Sequence, residues 1–342
     1  MIVFAEIVAT GAGIWSVAAA ETDPDLLRLA EQLPEVMAGS KAPSTVRMYE
    51  SGFKRWKTWA ACHEAVLCLP ARPYHVALYL LSVAQNVTSP SSIDSAMFSI
   101  AWAHNISALE DPCKSGFVKE VASSLKRKLS GHRTKKEVFT VDLLEKFEML
   151  SRPKNCINRI RLLVVCLLSF ACFLRFDEVS QLKLKHITFE ETHVILFIEK
   201  SKTDQLREGK KVFMSKSCSD LCPVENLKNY LSVAKVTDPD EYIFRAICTN
   251  KEGVFQLRKL NNPISYTRMR ELFVEGLKAV GEDPTKFGLH SLRAGGATVA
   301  ACTGTSDRLL KRHGRWKTDN AKDGYIKEDI NELLSVTKNM GL

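Results

Sequence analysis

Apolar positions recur at threes and fours through "SKAPSTVRMYESGFKRWKTWAACHEA", where Val46, Tyr49, Phe53, Trp56 and Trp59 share one side of a helix opening at the cap signal Ser44. The other side carries Arg47, Lys54, Arg55 and Lys57, which is either a solvated face or a strip that tracks phosphates. "RPYHVALYLLSVAQN", "SSIDSAMFSIAWAHNISA" and "SGFVKEVASSLKRKL" read as three further helices separated by Pro, Ser and Asn turns. A small helical domain is therefore expected over residues 41–130. Before it stands the apolar run "MIVFAEIVATGAGIWSVAAAETD", which ends like a secretory leader but lacks a basic start and carries Glu6 early. Residues 1–40 are expected to be a poorly structured segment.

"LKRKLSGHRTKKE" crowds Lys126, Arg127, Lys128, Arg133, Lys135 and Lys136 around a Ser/Gly hinge. That composition predicts an exposed basic linker over 131–138, serving solubility, a clamp across a nucleic-acid backbone, or nuclear import. From "TVDLLEKFEMLS" a second domain, 139–342, begins with helices through 150 and 180. "HVILFIEK" and "KKVFM" then alternate as a two-strand ribbon joined by "SKTDQLREG". Helical spacing or caps return in "ISYTRMRELFVEGLKAVG", "SLRAGGATVAACTG", "SDRLLKRHG" and "EDINELLSVTKNM". The fold class is mainly α with a small β-sheet.

Composition changes this picture in three respects. A chain of 342 residues with 45% hydrophobic content exceeds one ordinary core and can fill two. Lys and Arg total 48 against 39 Asp and Glu, a net charge of +9 that favours a polyanionic partner such as nucleic acid. The ten cysteines fall irregularly, Cys166 and Cys172 inside an apolar run, as expected of reduced thiols used as core residues. Only Cys218 and Cys222 approach ligand spacing, and no second pair accompanies them, so no metal site is expected. "RLLVVCLLSFACFLRF" is interrupted by arginine and too short to span a bilayer, so no membrane role is expected.

Candidate chemistry lies in "GLHSLRAGGATVAACTGTSDRLLKRHGRWKTDNAKDGYIKED". His290 and Arg293, three apart, sit on adjacent turns of a helix starting near Ser291, where backbone N–H groups, an imidazole and a guanidinium converge on an anion. Gly295 and Gly296 let another backbone approach closely. Tyr325 follows Trp316 by nine positions; upstream, Arg175 precedes Glu178 by one turn, and Lys202 lies in the ribbon's turn. Tyr325 alone would read as a packed tyrosine, but the joint order and spacing resemble the tyrosine recombinase (phage integrase) family.

That family's signature is an Arg with an acidic residue three later, a Lys in a β-hairpin, H-x-x-R, a His or Trp, and a Tyr nine beyond. The resemblance covers roughly 41–342 and implies a helical core-binding (SAM-like) domain followed by a mixed α/β catalytic domain. It implies that Arg175 and Arg293 stabilise a phosphodiester in attack, with His290 and Trp316 donating to it. Tyr325 is the nucleophile, Lys202 (preferred to Lys200) protonates the leaving 5′ oxygen, and Glu178 orients the site. The phosphotyrosine linkage conserves bond energy, so no metal, ATP or other cofactor is needed, and no carboxylate cluster for Mg²⁺ is visible. Double-stranded DNA is the implied partner, bound by a homo-oligomer, a synaptic tetramer. Arg47, Lys54, Arg55, Lys126, Arg127, Lys128 and Arg133 are DNA-binding candidates. "GGATVAA", "KRHGRW" and "DGY" most resemble recombinases of eukaryotic mobile elements of the DIRS and crypton kinds, implying a nuclear location, with a cytoplasmic one otherwise. The alternatives are a DNA-binding protein of this fold without catalysis and a type IB topoisomerase-like relaxing enzyme. The last helix, with Ile330, Leu333 and Leu334 on one side, docks on a neighbouring protomer or on its own domain.

Overall fold

The computed structural model describes residues 2–131, 135–152, 156–201, 204, 208–251, 253–328 and 330–340. The chain divides into two compact units, Met1–Arg133 and Thr134–Leu342.

The first unit is helical: α1 (Ile2–Ala9), α2 (Ile14–Ala19), α3 (Pro24–Ala30), α4 (Leu33–Ala38), α5 (Pro43–Ala60), α6 (Pro73–Gln85), α7 (Ser91–Ile106) and α8 (Gly116–Leu129). The apolar stripe of α5 forms its centre: Val46, Phe53 and Trp56 are buried and α5 packs on α7, while α6 packs on α8. Trp56 is fully enclosed, and its indole N–H donates to the Cys68 carbonyl at 2.9 Å.

The expectation of a poorly structured segment over residues 1–40 is corrected here. Residues 2–38 form four short helices, and Val3, Phe4, Ile7 and Trp15 join the core of the first unit. Phe4 meets Trp15 and Trp102 edge-on or tilted at centroid separations of 6.4 and 6.1 Å, and its amide donates to Glu50 Oε1 at 3.3 Å. A run apolar on all sides has no face for a periodicity argument to find, so its helix is specified by the surface that receives it.

His104 shows how tightly this unit is closed. It has no exposed surface, its Nε2 accepts the Ala71 amide at 2.8 Å, and Nδ1 therefore carries the proton that reaches the Ile100 carbonyl at 2.8 Å. Burial pushes its pKa below the ordinary imidazole value. Below about pH 6.5 the unfolded chain takes up a proton that the folded one resists, so this contribution to stability is full above that pH and declines as pH falls. In an NMR titration the His104 ring is expected to remain neutral at a pH where an unperturbed imidazole already charges, and a midpoint at or above about 6.5 would refute the burial argument.

The second unit is organised around α10 (Ile157–Ala171), apolar on nearly every side and buried between its neighbours. It follows α9 (Val141–Leu150) and precedes α11 (Phe176–Ser180). Three strands come next, β1 (Ile187–Phe189), β2 (His193–Ile198) and β3 (Lys210–Ser215), antiparallel in the order β1-β2-β3. Beyond α12 (Pro223–Ala234) lies a separate ribbon of β4 (Ile247–Thr249) and β5 (Phe255–Leu257). The sheet is thus larger than the two-strand ribbon read from the pattern. Strands of three residues are too short to display an alternation. The remainder is helical: α13 (Tyr266–Ala279), α14 (Leu289–Cys302), α15 (Asp307–Gly314), α16 (Asp319–Asp323) and α17 (Ile330–Lys338).

Helix α14 carries the H-x-x-R pair and lies against α10. Glycine makes that contact possible, because a β-carbon on Gly295 would overlap the Phe139 carbonyl oxygen and one on Gly296 that of Phe170. We expect Gly296→Ala to destabilise the protein by about 2–3 kcal/mol through this overlap. Denaturant unfolding of the variant measures it, and a loss within ~0.5 kcal/mol would show that the backbones separate freely.

Candidate active site

The site forms where the α10–α11 turn, the start of α14 and the segment from α15 through Tyr325 converge. Phe173 occupies that turn with φ +47°, an unusual conformation for a bulky side chain, and its carbonyl oxygen receives Arg293 Nη1 and, at 3.0 Å, Arg315 Nη2. Arg175 stands at the N-cap of α11, and Glu178, three residues on, reaches back to accept its amide at 3.0 Å and its Nη1 at 2.9 Å. The Arg175 side chain is 14% exposed, the most accessible of the three guanidiniums gathered here.

Glu178 is the hub. Its buried carboxylate also meets Arg315 Nη2 at 2.8 Å and lies 3.9 Å from Arg293 Nη1. Three guanidiniums around one carboxylate leave a net charge near +2, a pocket that favours an incoming anion. Arg293 is sealed from solvent, and its Nη2 donates to the Gly314 carbonyl at 2.7 Å. Burial, with like charge from Arg175 and Arg315, pushes its pKa down to about 10, while Glu178 and Tyr325 pull it up, so it stays charged at neutral pH.

Trp316 owes its place to the end of α15. Arg315 takes the left-handed conformation there (φ +56°), and the Trp316 amide returns to the Lys311 carbonyl at 3.0 Å, a Schellman closure. The Arg293 guanidinium lies 4.9 Å from the Trp316 ring centroid and 4.8 Å from that of Tyr325. The two rings are 5.4 Å apart and inclined at 36°. Trp316 Nε1, Arg293 Nε and Arg315 Nε are buried donors with no acceptor among the described residues.

Tyr325 follows α16 and is half-buried, its amide donating to the Lys322 carbonyl at 2.9 Å. Buried Lys322 is held by Asp307 at 2.7 Å and Asp323 at 3.3 Å. Just beyond, the Lys327 amide donates to Thr298 Oγ1 of α14 at 2.9 Å, so the tyrosine segment is tied at both ends to its own unit.

Of the residues expected to act together, Arg175, Glu178, Arg293, Trp316 and Tyr325 are gathered in one place. His290 is exposed on the first turn of α14, one turn before Arg293. Lys202 and Arg133 lie outside the described residues. Lys200 is exposed just past the end of β2, in the hairpin whose turn Asp204 braces by accepting the Gly209 amide at 2.9 Å. On the first unit Arg47, Lys54, Arg55, Arg127 and Lys128 are exposed, whereas Lys126 pairs with Asp94 at 2.9 Å.

His313, one more residue of a basic run in the sequence, contacts Phe173 edge-on at 4.6 Å and bonds the Ala171 carbonyl at 2.8 Å. Burial lowers its pKa and keeps it a neutral strut. Sequence reasoning missed Arg315 and Phe173. The available signal for Arg315 was a non-glycine residue one position after the end of a capped helical run.

Residues 142–332 match the phage integrase family. Among curated proteins, an integrase/recombinase XerD homologue of Selenomonas ruminantium is 26% identical over 306 residues, 88% of this chain and 86% of that one. Among solved structures, XerH site-specific recombinase in a post-cleavage complex with its palindromic difH substrate aligns with TM-score 0.63 at 13% identity, covering 99% and 95% of the two chains. A lambda integrase dimer on a COC′ core site aligns with TM-score 0.54 at 16% identity, covering 88% and 98%. Fold and sequence together define a tyrosine recombinase, a DNA-recombining enzyme with a core-binding and a catalytic domain. The chain belongs to the phage integrase family. No helix among the described residues is long and apolar enough to cross a membrane.

Proposed function

We propose that Tyr325 attacks a scissile DNA phosphodiester. The Oη–P bond forms as the P–O5′ bond breaks, the phenolic proton passes to solvent water, and Lys202 gives a proton to the departing 5′ oxygen. Arg175 and Arg293 hold the nonbridging oxygens as charge builds on them, with His290 and the unpaired Trp316 indole N–H as further donors. A 5′-hydroxyl from a second duplex reverses these bond changes and completes strand exchange without ATP. The observation that carries this reading is the packing of Arg293 and Trp316 against the Tyr325 ring, with Arg175 held beside Arg293 through Glu178.

DNA would be the partner, as it is of the XerH and lambda integrase complexes, and a lambda integrase tetramer on a Holliday junction shares this fold with TM-score 0.54. Ile330, Leu333 and Leu334 of α17 are 64%, 48% and 44% exposed, which favours docking on a neighbouring protomer over folding back. Arg47, Lys54, Arg55, Arg127 and Lys128 offer the first unit's phosphate contacts. A mobile-element origin and a nuclear address rest on the motif texture and the basic segment; the curated relative is bacterial.

The test uses nicked duplexes drawn from DNA flanking the gene, which trap a cleaved strand on the protein. Trypsin and mass spectrometry should then find the nucleotide on the peptide spanning residues 323–327, which contains Tyr325. Adduct on any other peptide would overturn the assignment of the nucleophile.

A further inference from the structure

Arg315 occupies a position whose backbone suits glycine. It is the left-handed residue closing α15, where any side chain is less favourable than glycine's hydrogen. Yet its side chain is 5% exposed and both terminal nitrogens are engaged: Nη2 meets Glu178 Oε2 at 2.8 Å and the Phe173 carbonyl at 3.0 Å, and Nη1 meets the carbonyls of His313 at 3.0 Å and Cys172 at 3.3 Å. Every one of those contacts is to the protein itself, to Glu178 and to backbone carbonyls.

The electrostatic problem at this spot is Glu178. A buried carboxylate is needed to fix Arg175 through two hydrogen bonds and to face Arg293, but unopposed it would cancel one of the charges meant for the phosphate. We infer that Arg315 is a positioning residue whose guanidinium neutralises Glu178, so that the carboxylate anchors Arg175 while both arginines keep their charge for the scissile phosphate. This rests on the reading of Tyr325 as nucleophile and of the arginines as phosphate clamps. Arg315 touches no substrate in this scheme. The left-handed backbone orients Trp316, and the side chain sets the charge of the clamp.

Those two roles separate experimentally. Arg315→Gly keeps a backbone suited to the left-handed turn, and hence the placement of Trp316, while deleting the charge. On a nicked duplex in single turnover we expect adduct formation to slow by about 10–100-fold with DNA affinity changed less than about 2-fold, because the loss falls on the transition state. The diagnostic is a double-mutant cycle with Glu178→Gln: once the carboxylate charge is gone, Arg315→Gly should slow the reaction by less than about 3-fold further. An equal penalty in both backgrounds, or none in the first, overturns the inference. If Arg315→Gly does not fold, Arg315→Lys takes its place in the same cycle: it keeps a charge without the fork, and its penalty must likewise shrink beside Glu178→Gln. Wild type and Tyr325→Phe run alongside. A wild type without adduct would defeat the reading of the nucleophile, whereas an active wild type with an unaffected Arg315→Gly defeats only the role of Arg315.

Discussion

Tyr325→Phe is expected to fold, bind DNA with wild-type affinity and form no covalent adduct, a loss of at least ~10⁴-fold in cleavage. The substitution removes one oxygen and leaves the ring against Trp316 and the Arg293 guanidinium, so the packing that places the segment persists. Tethers on either side are independent of the hydroxyl: Lys322 with Asp307 and Asp323, and the Lys327 amide on Thr298. Wild-type and variant proteins compared on denaturing gels for adduct, and on native gels for binding, give the result directly. Adduct persisting in the variant would mean that another side chain attacks.

The second large effect falls on Arg293. Arg293→Ala removes a guanidinium that holds the Phe173 and Gly314 carbonyls and stacks near two aromatic rings, leaving buried acceptors unpaired. We expect a stability loss of about 3 kcal/mol together with a fall of ~10²–10³-fold in the rate of phosphotyrosine formation. Arg293→Lys separates the two, since the ammonium retains charge but not the planar fork. Its rate should remain at least ~10-fold down even where unfolding shows most of the stability restored. A lysine enzyme of wild-type rate would show that charge alone suffices at this position.

Much of the site was legible in the chain because its chemistry demands particular residue types at fixed offsets. The three-residue step from Arg175 to Glu178 is one helical turn and appears as the N-cap contact of α11. The spacing of His290 and Arg293 likewise put a buried arginine one turn from an exposed histidine, and the adjacent glycines did mark a close backbone approach. Amphipathic α5 was equally readable, because a helix with one wet face writes its period into the sequence.

What stayed hidden depended on contacts between distant residues. Nothing local to Arg315 says that its side chain turns back to a carboxylate 137 positions earlier. His313 looks like one more member of a basic run until Phe173 and the Ala171 carbonyl are beside it. The helix at residues 2–9 is received by α5 and α7, where Phe4 meets Glu50 and Trp102, a property of the folded unit and not of the segment.

The double tether of the Tyr325 segment also fixes an accounting rule for any assembly of these chains. On the proposed reading the attacking Tyr325 is secured beside Arg293 of its own polypeptide, so each protomer would carry both halves of its own clamp-and-attack pair. A chain lacking the tyrosine and a chain lacking Arg293 therefore have nothing to lend one another. In a mixed population, cleavage capacity falls in simple proportion to the dose of defective subunits.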